Sequence, residues 1–221
     1  MYVVFVTGAL ASGKQTVCNL LCQRGAEVID LDAIAKEEQE HPSVLDALKK
    51  EFGADILTAD GLDRSLLAKR AFASVEASDR LNAICWPPAY RRLSGLLHKR
   101  RAESTKGSEA AAAESGFIKS GLIVVEIPLL AEAASKLPEL LNLADEIIVV
   151  EADEKRRLAR AVKRGMDPTD ASRRLALQES DEKRRVFATV VFDNNGTLES
   201  LEKQVESWYI SKQHEHLFLR H

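Results

Sequence analysis

The sequence predicts a three-layer α/β/α protein in which helices cover both faces of a parallel β-sheet. Two observations predict it. Five apolar runs of strand character alternate with helical stretches, and a glycine-bounded loop carrying a lysine joins the first run to the first helix. Continuous apolar strands separated by helices suit a parallel sheet buried on both sides, because parallel neighbours need crossover connections.

Tyr2-Val3-Val4-Phe5-Val6-Thr7 is β-branched and aromatic, the composition of a buried strand, and Val17 to Arg24 reads as a helix. The second strand, Ala26 to Asp30, ends in Asp30-Leu31-Asp32. From about Ala33 to His98 the pattern is helical, with Leu45, Leu48 and Phe52 at helical spacing before Gly53. Asp60-Gly61 marks a turn, Asp63 to Phe72 resumes a helix, and Trp86-Pro87-Pro88 is expected to break the pattern again. Arg101 to Gly116 is polar and Ala-rich, the composition of a loose connection or a frayed helix, and the stretch most prone to disorder.

Gly121 to Ile127 is the third strand and stops at Pro128; a helix bearing Leu129, Leu130 and Leu137 follows. Glu146 to Val150 is the fourth strand, Asp153 to Arg185 a basic helical stretch, and Val190-Val191-Phe192 the last strand. Leu198 to Ile210 closes the chain as a helix whose Trp208 and Tyr209 are read as packing residues.

A chain of 221 residues can bury a full core as one domain. Its net charge of −3 gives no support to a nucleic-acid surface, and no run approaches the length of a membrane span. Three cysteines, Cys18, Cys22 and Cys85, suit a reducing compartment better than a disulfide framework. Cys18 and Cys22 share a helix face but lack a third clustered ligand, so both read as buried thiols. The expectation is a soluble cytoplasmic protein with no nucleic-acid or membrane partner; the oligomeric state is left open.

Gly8-Ala9-Leu10-Ala11-Ser12-Gly13-Lys14-Gln15-Thr16 carries the chemistry. Gly8 and Gly13 lie five apart and Lys14 follows, the spacing of a phosphate-binding loop. Glycine serves where the backbone needs positive φ or close approach to a ligand, and the amides and helix start then cradle an anion. Lys14 reaches the outer phosphates. A dinucleotide-binding turn fits worse, because Leu10 occupies the site of a required glycine. Gln15 stands where Ser or Thr would offer a hydroxyl to Mg²⁺, with Thr16 one residue late.

Asp32 lies just past the second strand, at the carboxyl edge where open α/β sheets bind ligands. A carboxylate there takes a proton from an acceptor hydroxyl, holds Mg²⁺, or caps the next helix. Glu126 ends the third strand and is read as a metal-side carboxylate or a structural one. Arg157, Arg160 and Arg164 recur on one helical face, able to close over triphosphate or to sit in solvent.

Together with Val28 to Asp32, Asp60-Gly61-Leu62-Asp63-Arg64 and Val125 to Glu132, this loop resembles the dephospho-coenzyme A kinase family. The resemblance continues at Arg160, Arg164, Ala171, Arg174, Gln178 and Asn194-Asn195-Gly196, so it spans nearly the whole chain in order. It implies ATP-dependent phosphorylation of the ribose 3′-hydroxyl of dephospho-coenzyme A, with Mg²⁺ as the working ion. It also implies a phosphate-loop core (residues 1–35, 117–152 and 186–221), a helical acceptor-binding part (36–116) and a lid (153–185). By the same resemblance Asp32 is the base, with Lys14 and Arg160 as its catalytic partners. Gly8, Ala11, Ser12, Gly13, Gln15, Thr16, Arg157, Arg164, Asn195 and Gly196 then contact ATP. Arg64, Pro128, Leu129 and Leu130 contact the acceptor alongside Asp32, and Gln15 and Glu126 are the metal candidates.

The family pattern is G-G-x-G-S-G-K-S-T, so Ala9, Ala11 and Gln15 depart from it, as does Trp86 where His is usual. Ala in place of Gly implies negative φ at both positions. Gln15 and Trp86 leave open a catalytically weakened relative that binds nucleotide or coenzyme A, and the loop and lid are shared with other small-molecule kinases, such as nucleoside or nucleotide kinases.

Overall fold

The computed structural model describes residues 1–105 and 121–215. The chain divides into two compact units, residues 1–30 with 97–221 and residues 31–96.

The larger unit is built on a five-stranded parallel sheet of order β2-β5-β1-β6-β7. Its strands are β1 (Tyr2–Gly8), β2 (Glu27–Asp30), β5 (Leu122–Glu126), β6 (Glu146–Glu151) and β7 (Val190–Asp193). β1 lies inside, pairing Val4 with Val124 on one side and Val6 with Ile148 on the other. That burial explains why these runs are apolar without alternation. On one face α1 (Lys14–Gln23) and the C-terminal helix Leu198–His214 pack Val17, Leu21, Leu201 and Val205 against Val4, Val124 and Ile148. Trp208 and Tyr209 belong to this core; Trp208 Nε1 donates to Glu146 at 2.8 Å and the Tyr209 hydroxyl to the Arg24 carbonyl at 2.9 Å.

The smaller unit contains α2 (Leu31–Glu38), α3 (Pro42–Phe52), α4 (Arg64–Ala71) and most of α5 (Val75–Thr105). Asp60-Gly61 turns a two-stranded hairpin, β3 (Leu57–Thr58) and β4 (Gly61–Leu62). Val44, Leu48, Phe52, Ile56, Leu67 and Leu81 form its core.

The expected break at Trp86-Pro87-Pro88 does not occur, because α5 runs through both prolines. Each interior proline removes a helix hydrogen bond and costs about 3 kcal/mol or more. Burial of Leu81, Cys85, Ala89, Leu93 and Leu97, spaced four apart along one face, offsets that cost. Of the stretch expected as a loose connection or frayed helix, the part up to Thr105 is helical; its remainder, 106–116, lies outside the described residues.

The basic stretch expected as one helix is three: α7 (Glu154–Lys163), α8 (Pro168–Ala176) and α9 (Asp181–Arg185). Gly165 at φ +92° and Pro168 at the first turn separate the first two, and Ser180 caps the third. α6 (Leu130–Lys136) follows β5, and the C-terminal helix Leu198–His214 is α10. Among the described residues no helix is long and apolar enough to cross a membrane.

Candidate active site

The carboxyl end of β1 runs into the loop Gly8–Gly13, which hands the chain to α1. Gly13 takes φ +114° and Gly8 φ +153°. A Cβ on Gly8 would strike the Val150 carbonyl and the Ser12 hydroxyl, and one on Gly13 would strike the Asn194 amide. Both positions therefore need glycine for space and for their backbone.

No side chain caps α1, and no acidic residue stands in its first turn, so its positive end faces the loop. Ser12 is completely buried, and neither its hydroxyl nor that of Thr7 has a hydrogen-bond partner. A buried orphan hydroxyl is costly, so such groups beside a helix start fit an anion that would pair them. Lys14 Nζ donates to the Gly8 and Ala9 carbonyls at 2.9 and 3.1 Å, which keeps the ammonium over the loop. Gln15 is exposed and Thr16 half-buried.

Ala11 corrects an expectation. It adopts φ +58°, the left-handed region that alanine disfavours, whereas Ala9 stays out of it. Its methyl packs against Ala161 of α7 and Ala171 of α8, and Leu10 N donates to Gln178 Oε1 at 2.7 Å. The loop and the α7–α8 segment are thereby packed together, over a pocket lined by Leu10, Ala11, Arg164, Met166 and Arg174.

The three arginines of α7 do not share one environment. Arg157 is buried and pairs with Asp181 of α9 at 3.6 Å, so it faces the protein rather than an open nucleotide surface. Arg157, expected among the ATP contacts, thus also ties α7 to α9. Arg160 is half-buried, and its Nη2 donates to the Asn194 carbonyl at 2.9 Å. Its Nη1 is buried without a partner. Burial first, then neighbouring Arg156 and Arg164, holds its pKa below the ordinary guanidinium value. Arg164 is exposed at the end of the helix.

Asn194, in the Asn194-Asn195-Gly196 run, lies against the loop. It is 7% exposed, and its Nδ2 donates to the Ser12 carbonyl at 2.7 Å. Asn195 Oδ1 accepts from the Asp153 amide at 2.7 Å. Nothing local in the sequence points to Asn194, because its partner lies 182 positions away.

Asp30 and Glu126 stand opposite each other at the paired ends of β2 and β5. Two carboxylates there form a hard-oxygen donor set suited to a divalent cation. No group of three or more His, Cys, Asp or Glu able to hold a metal occurs among the described residues. The buried Cys18 thiol donates toward Glu126; burial first, then that carboxylate, raises its pKa. Cys22 is exposed, contrary to its reading as a buried thiol. Leu130 is 1% exposed, while Pro128 and Leu129 are half-buried.

In the smaller unit Asp32 is exposed in the first turn of α2. Arg64 donates to Gln39 at 2.6 Å, to the Lys36 carbonyl at 3.1 Å and to Glu40 at 2.8 Å.

A family model described as dephospho-CoA kinase matches residues 2–200. The chain belongs to the dephospho-coenzyme A kinase family. It is 36% identical over 210 residues to the dephospho-CoA kinase of Leifsonia xyli subsp. xyli, covering 94% of this chain and 96% of that one. Against the dephospho-CoA kinase of Corynebacterium diphtheriae it is 37% identical over 206 residues, with 92% and 93% covered. Among solved structures, TT1252 from Thermus thermophilus matches with a TM-score of 0.70 at 28% identity, covering 95% of this chain and 97% of that one. In this dephospho-coenzyme A kinase family member, the loop with its two unpaired hydroxyls is tied through the Ser12 carbonyl to the Arg160–Asn194 pair.

Proposed function

We propose that the chain transfers the γ-phosphoryl group of ATP to the ribose 3′-hydroxyl of dephospho-coenzyme A, giving coenzyme A and ADP. One observation carries this reading: a loop with the geometry of an anion cradle, including two buried unpaired hydroxyls, in a chain of this family. In the reaction the acceptor oxygen forms a bond to the γ-phosphorus as the bond to the β,γ-bridging oxygen breaks. The acceptor proton passes to the Asp32 carboxylate, and ADP carries away the negative charge.

Loop amides from Ala11 to Thr16 and the α1 dipole bind the phosphates, and Lys14 swings from the Gly8 and Ala9 carbonyls onto them. Arg160 presents its unpaired Nη1 to the transferring group, and Arg164 adds positive field. Asn195 and Gly196 border the adenine. Arg64, Pro128 and Leu129 orient the acceptor. Glu126 and Asp30, at the paired ends of β5 and β2, would hold Mg²⁺, and the ion would neutralise phosphate charge there. Gln15, longer than Ser and exposed, acts through a water or not at all. The reaction proceeds in the cytoplasm, with no nucleic-acid or membrane partner.

A coupled ADP-release assay with dephospho-coenzyme A, adenosine and AMP side by side tests the reading. Release with dephospho-coenzyme A alone supports it. Equal or greater release with adenosine or AMP makes the chain another small-molecule kinase, and binding of ATP without release makes it a weakened relative.

A further inference from the structure

Five buried side-chain nitrogen or oxygen atoms among the described residues lack a hydrogen-bond partner, and one of them is Arg160 Nη1. The other edge of the same guanidinium is held. Nη2 donates to the Asn194 carbonyl at 2.9 Å and lies 3.4 Å from its Oδ1. A planar guanidinium fixed along one edge has its remaining donors aimed in a fixed direction. The group that fixes it is therefore as important to aim as the arginine itself.

Asn194 is in turn anchored from three sides. Its Nδ2 donates to the Ser12 carbonyl inside the phosphate loop, its amide donates to the Glu151 carbonyl at the end of β6, and it packs so closely on Gly13 that no Cβ fits there. The next residue, Asn195, accepts from the Asp153 amide just before α7. One short segment after β7 thus binds the phosphate loop, the end of the sheet and the helix carrying Arg160.

We propose that Asn194 is a positioning residue for phosphoryl transfer: by bridging the Ser12 carbonyl and Arg160, it aims Arg160 Nη1 at the transferring phosphoryl group. This rests on the kinase activity proposed above. Asn194 itself touches no reacting atom. It fixes two groups that must agree in position, the loop backbone and the arginine, and the chemistry reads their agreement.

The consequence is a split between binding and turnover. Loss of the Asn194 side chain leaves Lys14, the loop amides and the helix start in place, so ground-state ATP binding survives. What is lost is alignment, and misplacement of a catalytic group by about 1 Å can cost about 10²-fold in rate.

The test is a double-mutant cycle with Asn194→Ala and Arg160→Ala, read as kcat and KM for ATP in the full-length protein. Asn194→Ala is expected to lower kcat by about 10–100-fold with KM for ATP changed less than about threefold. The double variant is expected to match Arg160→Ala, because a positioning residue has nothing left to position. Asn194→Asp runs in parallel; it keeps the volume, turns the donor toward Ser12 into a carboxylate oxygen that repels that carbonyl, and places a negative charge beside Arg160. It carries the test if the alanine variant does not fold, and the same non-additive pattern is expected of it. Multiplying losses in the double variant, or a raised KM with unchanged kcat, would overturn the proposal. Wild-type turnover is scored first: no product there overturns the kinase reading, whereas an active wild type with multiplying losses overturns only the role of Asn194.

Discussion

The Gln178 side-chain carbonyl accepts a 2.7 Å hydrogen bond from the Leu10 amide, 168 positions away. It ties the segment after α8 to the phosphate loop. Replacing Gln178 with alanine strands a partly buried amide, which costs about 1–3 kcal/mol. Gln178→Ala is therefore expected to lower thermal stability by a few degrees and to speed hydrogen exchange at the Leu10 amide. Unchanged exchange at Leu10 would show that water replaces the contact without penalty.

Ala11 shows how a disfavoured backbone is retained. The left-handed conformation costs alanine about 1–2 kcal/mol. Its methyl recovers about 0.8 kcal/mol by burial against Ala161 and Ala171, and a glycine there would lose about 0.4–1 kcal/mol to chain entropy. These terms nearly cancel, so Ala11→Gly is expected to shift the melting temperature by less than about 3 °C in either direction. Ala11→Val, β-branched at positive φ, is expected to destabilise by about 2 kcal/mol or more. Differential scanning calorimetry of both variants checks this; a stable valine variant would mean that the loop can leave the left-handed conformation.

The cysteines give a chemical check on burial. Cys18 and Cys85 are buried, and burial raises both thiol pKa values, whereas Cys22 is exposed. Alkylation needs the thiolate and access. At neutral pH the native protein is expected to take up label at Cys22 alone, and all three sites to react after unfolding. Native labelling at Cys18, read by peptide mass spectrometry, would show that the face of α1 toward Glu126 opens.

The Asp32 carboxylate lies in the first turn of α2, where an aspartate also serves a helix N-terminus. Removing a positioned general base costs about 10²–10⁴-fold in turnover, whereas losing a cap costs about 1 kcal/mol of stability. Asp32→Asn is expected to keep ATP affinity and melting temperature and to lose turnover by that factor. Near-normal turnover would reduce Asp32 to a helix-end residue.

Much of this was legible along the chain. β1, β5 and β6 read as strands because both faces are buried, leaving apolar runs with no alternation to mislead. The loop was legible because glycine and lysine at fixed spacing reflect a local backbone need. Pro87 and Pro88 misled because local propensity says break, while burial at Leu81, Cys85, Ala89 and Leu93 holds the helix together. The divisions of the basic stretch were written locally, in Gly165, Pro168 and Ser180, yet its charge pattern masked them. Asn194 and the inward turn of Arg157 were not legible, because each depends on partners that only the fold supplies.

Mass spectrometry of the acceptor tests the central claim most directly. With ATP and Mg²⁺, dephospho-coenzyme A is expected to gain one phosphoryl group, located on the ribose by fragmentation. An analogue lacking the 3′-hydroxyl is expected to gain none. Phosphorylation of that analogue, or an unmodified acceptor at saturating substrates with ATP bound, would contradict the account.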